Sequence, residues 1–349
     1  MFLLALTMPS LAGTTTSFEP GALVVPMDQA YQDEGALDAY GLVYALLLEG
    51  IQVHWVIDSG KGWGDADVSS LDTYLTTESS SASTPRDFAG GPFFINAADA
   101  ADAQVVIDDW QGAGWDAVVY TTDASVTVEV ARTLFVAPSI AIFEDGNEDI
   151  AWDYLNAAGI PDGAGNSWDA SSTDNLSESD ISGTSDTASG DGALFDSDGY
   201  PAYCHLNAMH WDESDTNAVV MEIRAFAEDV LVSALFECDA GDAIENDSAY
   251  GSMISTGVTK VGLDRKKATA SMSDAGNELF QFDGDWGFHG GSLPDFSATL
   301  NSDVVYLDAD DGSDVAYIVA TGRLDGDPSQ GRISILGGHE YDPDGPYSD

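Results

Sequence analysis

A thiol and an imidazole stand where folding could make them a nucleophile and its base. Cys238 closes the apolar run 230–236 and precedes a short acidic stretch, 239–246, that reads as a helix. His339 follows the apolar run 331–336 across Gly337 and Gly338. A strand that stops at a Cys just before a helix N-terminus places the sulfur against unpaired N–H groups and the positive end of the helix dipole, which favours the thiolate. An imidazole at the same sheet edge would take the thiol proton, and Glu340 could orient the ring. The same residues allow two other states for Cys238: a disulfide with Cys204, the other cysteine of the chain, or a buried free thiol.

Other residues are candidates for binding. Asp28 ends the predicted strand 21–27, the place where open α/β sheets put ligands, and it could equally cap the helix that follows. Gly90 and Gly91 form a turn with Pro92 that could line the same cleft, and His205 could line a pocket near the sheet edge. The Gly-rich aromatic run 280–296 carries Trp286 and His289, which could stack on a sugar ring or simply pack over the sheet. Cys204, His205 and His210 are zinc-type ligands, but their spacing fits no metal motif and neighbours on a strand face opposite sides. The acidic turns at 196–199, 308–312, 325–327 and 342–345 lack the closing bidentate Glu of a calcium loop. No phosphate-cradling Gly-rich loop follows a strand. No metal and no cofactor is therefore expected.

The elements that must position these residues read as alternating strands and helices. Strands are predicted over 21–27, 51–57, 115–120, 139–143, 230–236 and 331–336, and helices over 31–49, 97–111, 148–158 and 217–228. Strand–helix–strand order with short loops makes parallel sheets. The expected fold is therefore α/β, mainly parallel sheets flanked by helices, in two βα halves over 21–137 and 138–349. The Ser/Asp/Gly-rich stretch 58–86 reads as a surface excursion, and 164–192 as a polar, mobile insertion in the second half.

The chain has 61 Asp+Glu against 10 Lys+Arg, a net charge of −51. Phosphate backbones and anionic membranes need cationic patches, so a nucleic-acid partner is excluded. Residues 1–13 have an apolar core and end Ser10-Leu11-Ala12, the pattern of a signal peptide, which predicts a secreted or periplasmic protein. No later apolar run reaches the roughly 20 residues of a membrane span, so no membrane insertion is expected.

The order strand–Cys–helix, then a late strand followed by His, resembles the class I glutamine amidotransferase-like, flavodoxin-like superfamily. The run 331–339, GRISILGGH, is similar to the last strand of trehalose-utilisation (ThuA-like) domains. That resemblance implies a flavodoxin-like core, with Cys238, His339 and Glu340 at catalytic positions. Phe236 and Gly241 depart from the Gly-x-Cys-x-Gly elbow of the family, which argues against a glutaminase. The leading expectation is thus an exported, non-catalytic protein that binds a small molecule, a carbohydrate among the candidates, or a protein partner at the strand C-termini. The alternatives are a Cys–His hydrolase using Cys238 and His339, and a calcium-stabilised surface module.

Overall fold

The computed structural model describes residues 13–32, 36–185, 188–211, 217–262, 268–281 and 296–337. Its first half contains β1 (Thr14–Phe18), β2 (Leu23–Val25), α1 (Gln29–Gln32), α2 (Ala36–Leu48), β3 (Val53–Val56), β4 (Val68–Leu75), β5 (Thr84–Phe88), β6 (Phe93–Ile95), α3 (Ala100–Gly112), β7 (Tyr120–Thr122) and β8 (Val126–Leu134). The second half contains β9 (Ile140–Phe143), α4 (Glu148–Ala157), β10 (Asn175–Leu176), α5 (Glu178–Ser182), β11 (His205–Ala208), α6 (Asn217–Phe226), β12 (Ser233–Glu237), α7 (Asp239–Glu245), β13 (Ser255–Lys260), β14 (Thr269–Met272), β15 (Phe296–Leu300), β16 (Val305–Asp310), β17 (Val315–Arg323) and β18 (Arg332–Leu336).

Each half builds its own sheet. The first is eight-stranded in the order β1-β8-β3-β6-β2-β7-β4-β5, and every pairing in it is antiparallel. The βαβ unit read from the sequence is present as β2-α2-β3, but β6 inserts between the two strands and pairs antiparallel with both. The sheet must also curl. β7 and β8 lie four places apart, about 19 Å across a flat sheet. The three residues that join them, 123–125, bridge at most about 14 Å. Inside the curl pack Phe18, Val24, Val56, Phe88, Phe94 and Tyr120, while α2 and α3 cover the other side through Leu42, Leu46, Ile107 and their neighbours.

The second sheet is mixed. β10, β9, β11, β12 and β18 pair in parallel, and β17 then pairs antiparallel with β18 and leads into β13, β14, β15 and β16, which are all antiparallel. The expectation of mainly parallel sheets with a flavodoxin-like or amidotransferase-like core is corrected: parallel pairing is confined to five strands, and antiparallel ladders make up the rest. The physical reason lies in segments that read as too polar to be strands. Val68, Leu71 and Thr73 are buried while Ser69, Ser70 and Asp72 between them are exposed, so the stretch 58–86 supplies most of the edge hairpin β4–β5. Among its described residues the 164–192 insertion also contributes to the core, with Trp168, Leu176 and Ile181 buried and a capping box between Ser177 and Asp180.

The halves share a core. Tyr44 of α2 packs with Ile140, Leu155, Leu235 and Leu336 of the second half, and its hydroxyl donates to Pro138 O at 3.3 Å. Arg132 of β8 pairs with Glu278 at 2.8 Å. Lys61 joins Asp67 at 2.8 Å to Gln281 Oε1 at 2.6 Å. At Gly41 the backbone of α2 comes so close that a Cβ would lie 1.7 Å from Ala158 O and 2.8 Å from the Trp110 ring. Gly41→Ala should therefore cost about 3 kcal/mol or more, because backbone on both sides must move. A urea midpoint equal to that of the parent would show that the halves do not pack through α2.

Candidate functional site

The register of the parallel strands sorts their side chains into rows on the face that meets the first half. At the N-terminal end Ile140, His205, Ser233, Arg332 and Arg323 lie side by side. The middle row is Ile142, Asn207, Leu235, Ser334 and Thr321. Glu237, Leu336 and Val319 form the C-terminal row. Three chain turns converge on that C-terminal rim: β9 into α4, the exit from β11, and β12 into α7.

At the last of these, Cys238 has φ 52° and ψ −124°. Its N–H donates to Leu336 O at 2.9 Å and its carbonyl accepts from Gly241 N at 3.0 Å, so strand passes to helix through this one residue. A non-Gly residue in this region carries strain of about 1–3 kcal/mol. Phe236 does not prevent the turn, because its ring packs into the core below the elbow. The crowded positions after the Cys are the small residues Ala240 and Gly241, both buried. Cys238 itself is 0 % exposed.

Glu237 is the last residue of β12, 1 % exposed, on the same face as Leu235 and Leu336. Its Oε1 has no hydrogen-bond partner among the described residues. Burial in apolar surroundings, reinforced by the Asp145 carboxylate, pushes its carboxyl up to about 8. Asp145 is anchored: Oδ2 accepts Met209 N and His210 N, both at 2.8 Å, and Oδ1 accepts Asn147 N at 2.9 Å. Burial holds Asp145 above the usual carboxylate range against those hydrogen bonds. The rim thus offers the neighbouring Glu237 and Asp145 carboxyl groups on the face that meets the first half, and, next in the chain to Glu237, a thiol on a strained backbone that packs with Phe236 and Ala240. Such a set can hold a polar ligand, give and take one proton, and form a thioester.

The other residues named from the sequence lie elsewhere. Cys204 is level with Val232, six residues from Cys238 along neighbouring parallel strands, roughly 20 Å. The expected Cys204–Cys238 disulfide is therefore corrected: both thiols are free, at opposite ends of the sheet, far beyond bridging distance. His205 shares that N-terminal end. Its Nδ1 meets Ser233 Oγ at 2.7 Å and its Nε2 meets Asn207 Oδ1 at 3.0 Å, and burial lowers it to about 4, so the ring is neutral.

Asp28 acts as a cap: its carbonyl accepts from Tyr31 N and Gln32 N, and Oδ1 accepts Ala89 N at 2.7 Å. Gly90 and Gly91 make the turn against it at φ 67° and 72°. Gly91 N–H donates to Asp67 and its carbonyl accepts from Trp55 Nε1, both at 2.9 Å; a Cβ there would meet Trp55 Nε1 at 2.5 Å. His339, Glu340, Trp286 and His289 lie outside the described residues, as do residues 1–12 of the expected signal peptide, which nothing in the structure bears out. Among the described residues no group of His, Cys, Asp and Glu is placed to hold a metal. No helix among them is long and apolar enough to cross a membrane. Sequence reasoning missed Glu237 and Asp145; the signal for Glu237 was a lone acid closing an otherwise apolar strand.

Comparison of the chain with protein-family models, with curated proteins and with solved structures gives no match. Together with the antiparallel first sheet, this overturns the amidotransferase-like and ThuA-like resemblance.

Two outcomes follow from the rim. The folded Glu237 keeps its proton up to about pH 8, whereas the unfolded chain releases it near 4.5. The native state therefore binds more protons across that window, and stability falls as pH rises from about 5 to 8. Glu237→Gln should remove this loss, at most about 5 kcal/mol, as read by chemical denaturation at pH 5, 6.5 and 8. Parallel curves for parent and variant would show that Glu237 is ionised when folded. At Cys238 the usual ranking should invert. Cys238→Gly should be more stable than Cys238→Ala by about 1 kcal/mol, since only Gly relieves the positive φ. An equal or more stable Ala variant would remove the strain argument.

Proposed function

We propose that the C-terminal rim of the parallel strands is the functional site, and that Cys238 is its nucleophile in acyl transfer or hydrolysis on a small polar substrate. The observation that carries this reading is the backbone of Cys238. A strained conformation at a strand-to-helix turn persists only where the surroundings enforce it, and such positions cluster at reactive groups. In the proposed step Sγ bonds the acyl carbon, and the Glu237–Asp145 pair takes the thiol proton and returns one to the leaving group. Water then cleaves the thioester and restores the thiol. The upward shift of the Glu237 carboxyl, to about 8, supports a role as proton donor near neutrality.

A second reading, binding of the ligand without a covalent step, is favoured by the complete burial of Cys238. Alkylation separates the two. Cys204 is partly exposed and serves as the internal reference. If Cys238 is the nucleophile, iodoacetamide should modify it in the folded protein at least as fast as Cys204, read by peptide mass. Cys238→Ser should also lower turnover of a panel of activated esters and amides at least 100-fold, with Cys204→Ser unchanged. A thiol that stays unmodified until denaturant is added, with turnover intact in Cys238→Ser, would leave the binding reading.

A further inference from the structure

Lys61 is held out of water where the two halves meet. It ends the turn 58–61 that follows β3, closed by its own N–H donating to Asp58 O at 3.2 Å, and Asp58 N–H donates to Asp67 Oδ1 at 3.0 Å. Gly91 N–H fixes Asp67 further, donating to Oδ2 at 2.9 Å. Lys61 Nζ then lies 2.8 Å from each carboxylate oxygen of Asp67. From the second half Gln281 turns its amide to the same nitrogen, with Oε1 at 2.6 Å. That amide cannot swing away, because Nε2 donates to Ala275 O at 2.9 Å and to Asn277 O at 2.8 Å. The two backbones are set as closely: a Cβ on Gly276 would lie 2.8 Å from Ser59 Cα. The side chains of Lys61 and Asp67 are buried, and so is Gln281.

An amine, a carbonyl carbon and a carboxyl group confined together can do more than share hydrogen bonds. A C=O bond is about 1.2 Å long, so Nζ is no more than about 3.8 Å from Gln281 Cδ. Reacting atoms need roughly 3–3.5 Å, so a small displacement brings the pair to attack distance, in a place shielded from bulk water. Attack requires a neutral amine, and Asp67 is the group placed to take the proton. Burial holds the Asp67 carboxyl above its ordinary range, against the pull of the Lys61 charge and of the Gly91 and Asp58 N–H donors. Moving the proton from Nζ to Asp67 removes two buried charges at once, which a water-poor interior assists.

We propose that Lys61 and Gln281 react with each other to form an isopeptide crosslink that joins the two halves covalently, with Asp67 carrying the protons. The Nζ–Cδ bond forms and the Cδ–Nε2 bond breaks. Of the three protons on the Lys61 ammonium, one stays on the new amide and two leave with Nε2 as ammonium, by way of Asp67, which ends as the carboxylate it was. No oxidant, metal or second molecule takes part. The bond ties residues 220 apart in sequence, so it restricts the unfolded chain far more than the folded one. Cys238 has no part in the step, so the crosslink is independent of the rim.

The test is the mass of the full chain, purified folded and then denatured. It should lie about 17 Da, one ammonia, below that calculated for the sequence. Trypsin should fail to cut after Lys61, and the peptide 268–323, which holds Gln281, should appear joined to 1–86. Lys61→Arg, which keeps the charge without the amine, should show its full calculated mass and a Tm several degrees lower. Asp67→Asn should leave most of the chain at full mass. Full mass in the parent, with 268–323 released as a separate peptide, would overturn the crosslink whether or not the variants fold. A loss of about 18 Da, one water, confined to 1–86 would mark a Lys61–Asp67 amide and overturn it equally. Crosslinking undiminished in Asp67→Asn would overturn the proton relay. Cys238→Ser should be joined as the parent is, so failure here is distinct from failure at the rim.

Discussion

Backbone hydrogen bonds between β12 and its neighbours β11 and β18 decide which side chains of the second half can meet. A parallel ladder gathers all strand beginnings at one edge and all strand ends at the other. Cys204, His205 and Arg332 therefore share the first edge, and Glu237, Leu336 and Cys238 the second. The two thiols are separated by the length of the sheet, and a histidine that sits one residue from one Cys is remote from the other. Glu237 and His205 lie on one face of one ladder, kept apart by the middle row of Ile142, Asn207, Leu235, Ser334 and Thr321.

That face is buried because the first half closes over it, and the closure explains where the charges are. Most of the 61 carboxylates are in water and repel one another. Several of the few cations are withdrawn into the junction instead. The side chains of Lys61 and Asp67 are 5 % and 0 % exposed, and those of Arg132 and Glu278 8 % and 17 %. Removing one member of such a pair leaves an uncompensated buried charge; Arg132–Glu278 spans the two halves directly, and Lys61, paired with Asp67 of its own half, reaches Gln281 of the other. The same enclosure that makes the ion pairs sensitive also raises the Glu237 carboxyl, since it is buried at the apolar end of β12 beside Asp145 and its Oε1 has no hydrogen-bond partner among the described residues.

Much of the local structure was legible in the residues. The apolar run that became β12, the amphipathic spacing of α6 and the mostly apolar α2 have the patterns of a buried strand, a one-faced helix and a central helix. The hairpin β4–β5 was not legible, because Val68, Leu71 and Thr73 alternate with Ser and Asp and resemble a loop. Nor was the packing of the described residues of 164–192, which rests on a few buried side chains, Trp168, Leu176 and Ile181, spread among many small polar ones. At the rim, a Phe two residues before the Cys argued from sequence against a strained elbow. In the structure that ring points into the core, and the space the turn needs is supplied by residues after the Cys.

The sequence by itself determined the acidic surface, the positions of the central strands and helices, and the break between strand and helix at Cys238, because composition and hydrophobic periodicity act over a few neighbouring residues. Only the tertiary structure decided that β6 would run between β2 and β3, that the cysteines would lie at opposite ends, that Glu237 would be buried beside Asp145, and that Arg132 of the first half would pair with Glu278 of the second. Each of these depends on strand order and register, which are set by long-range backbone pairing and by burial against the other half, and no local pattern of residues encodes them.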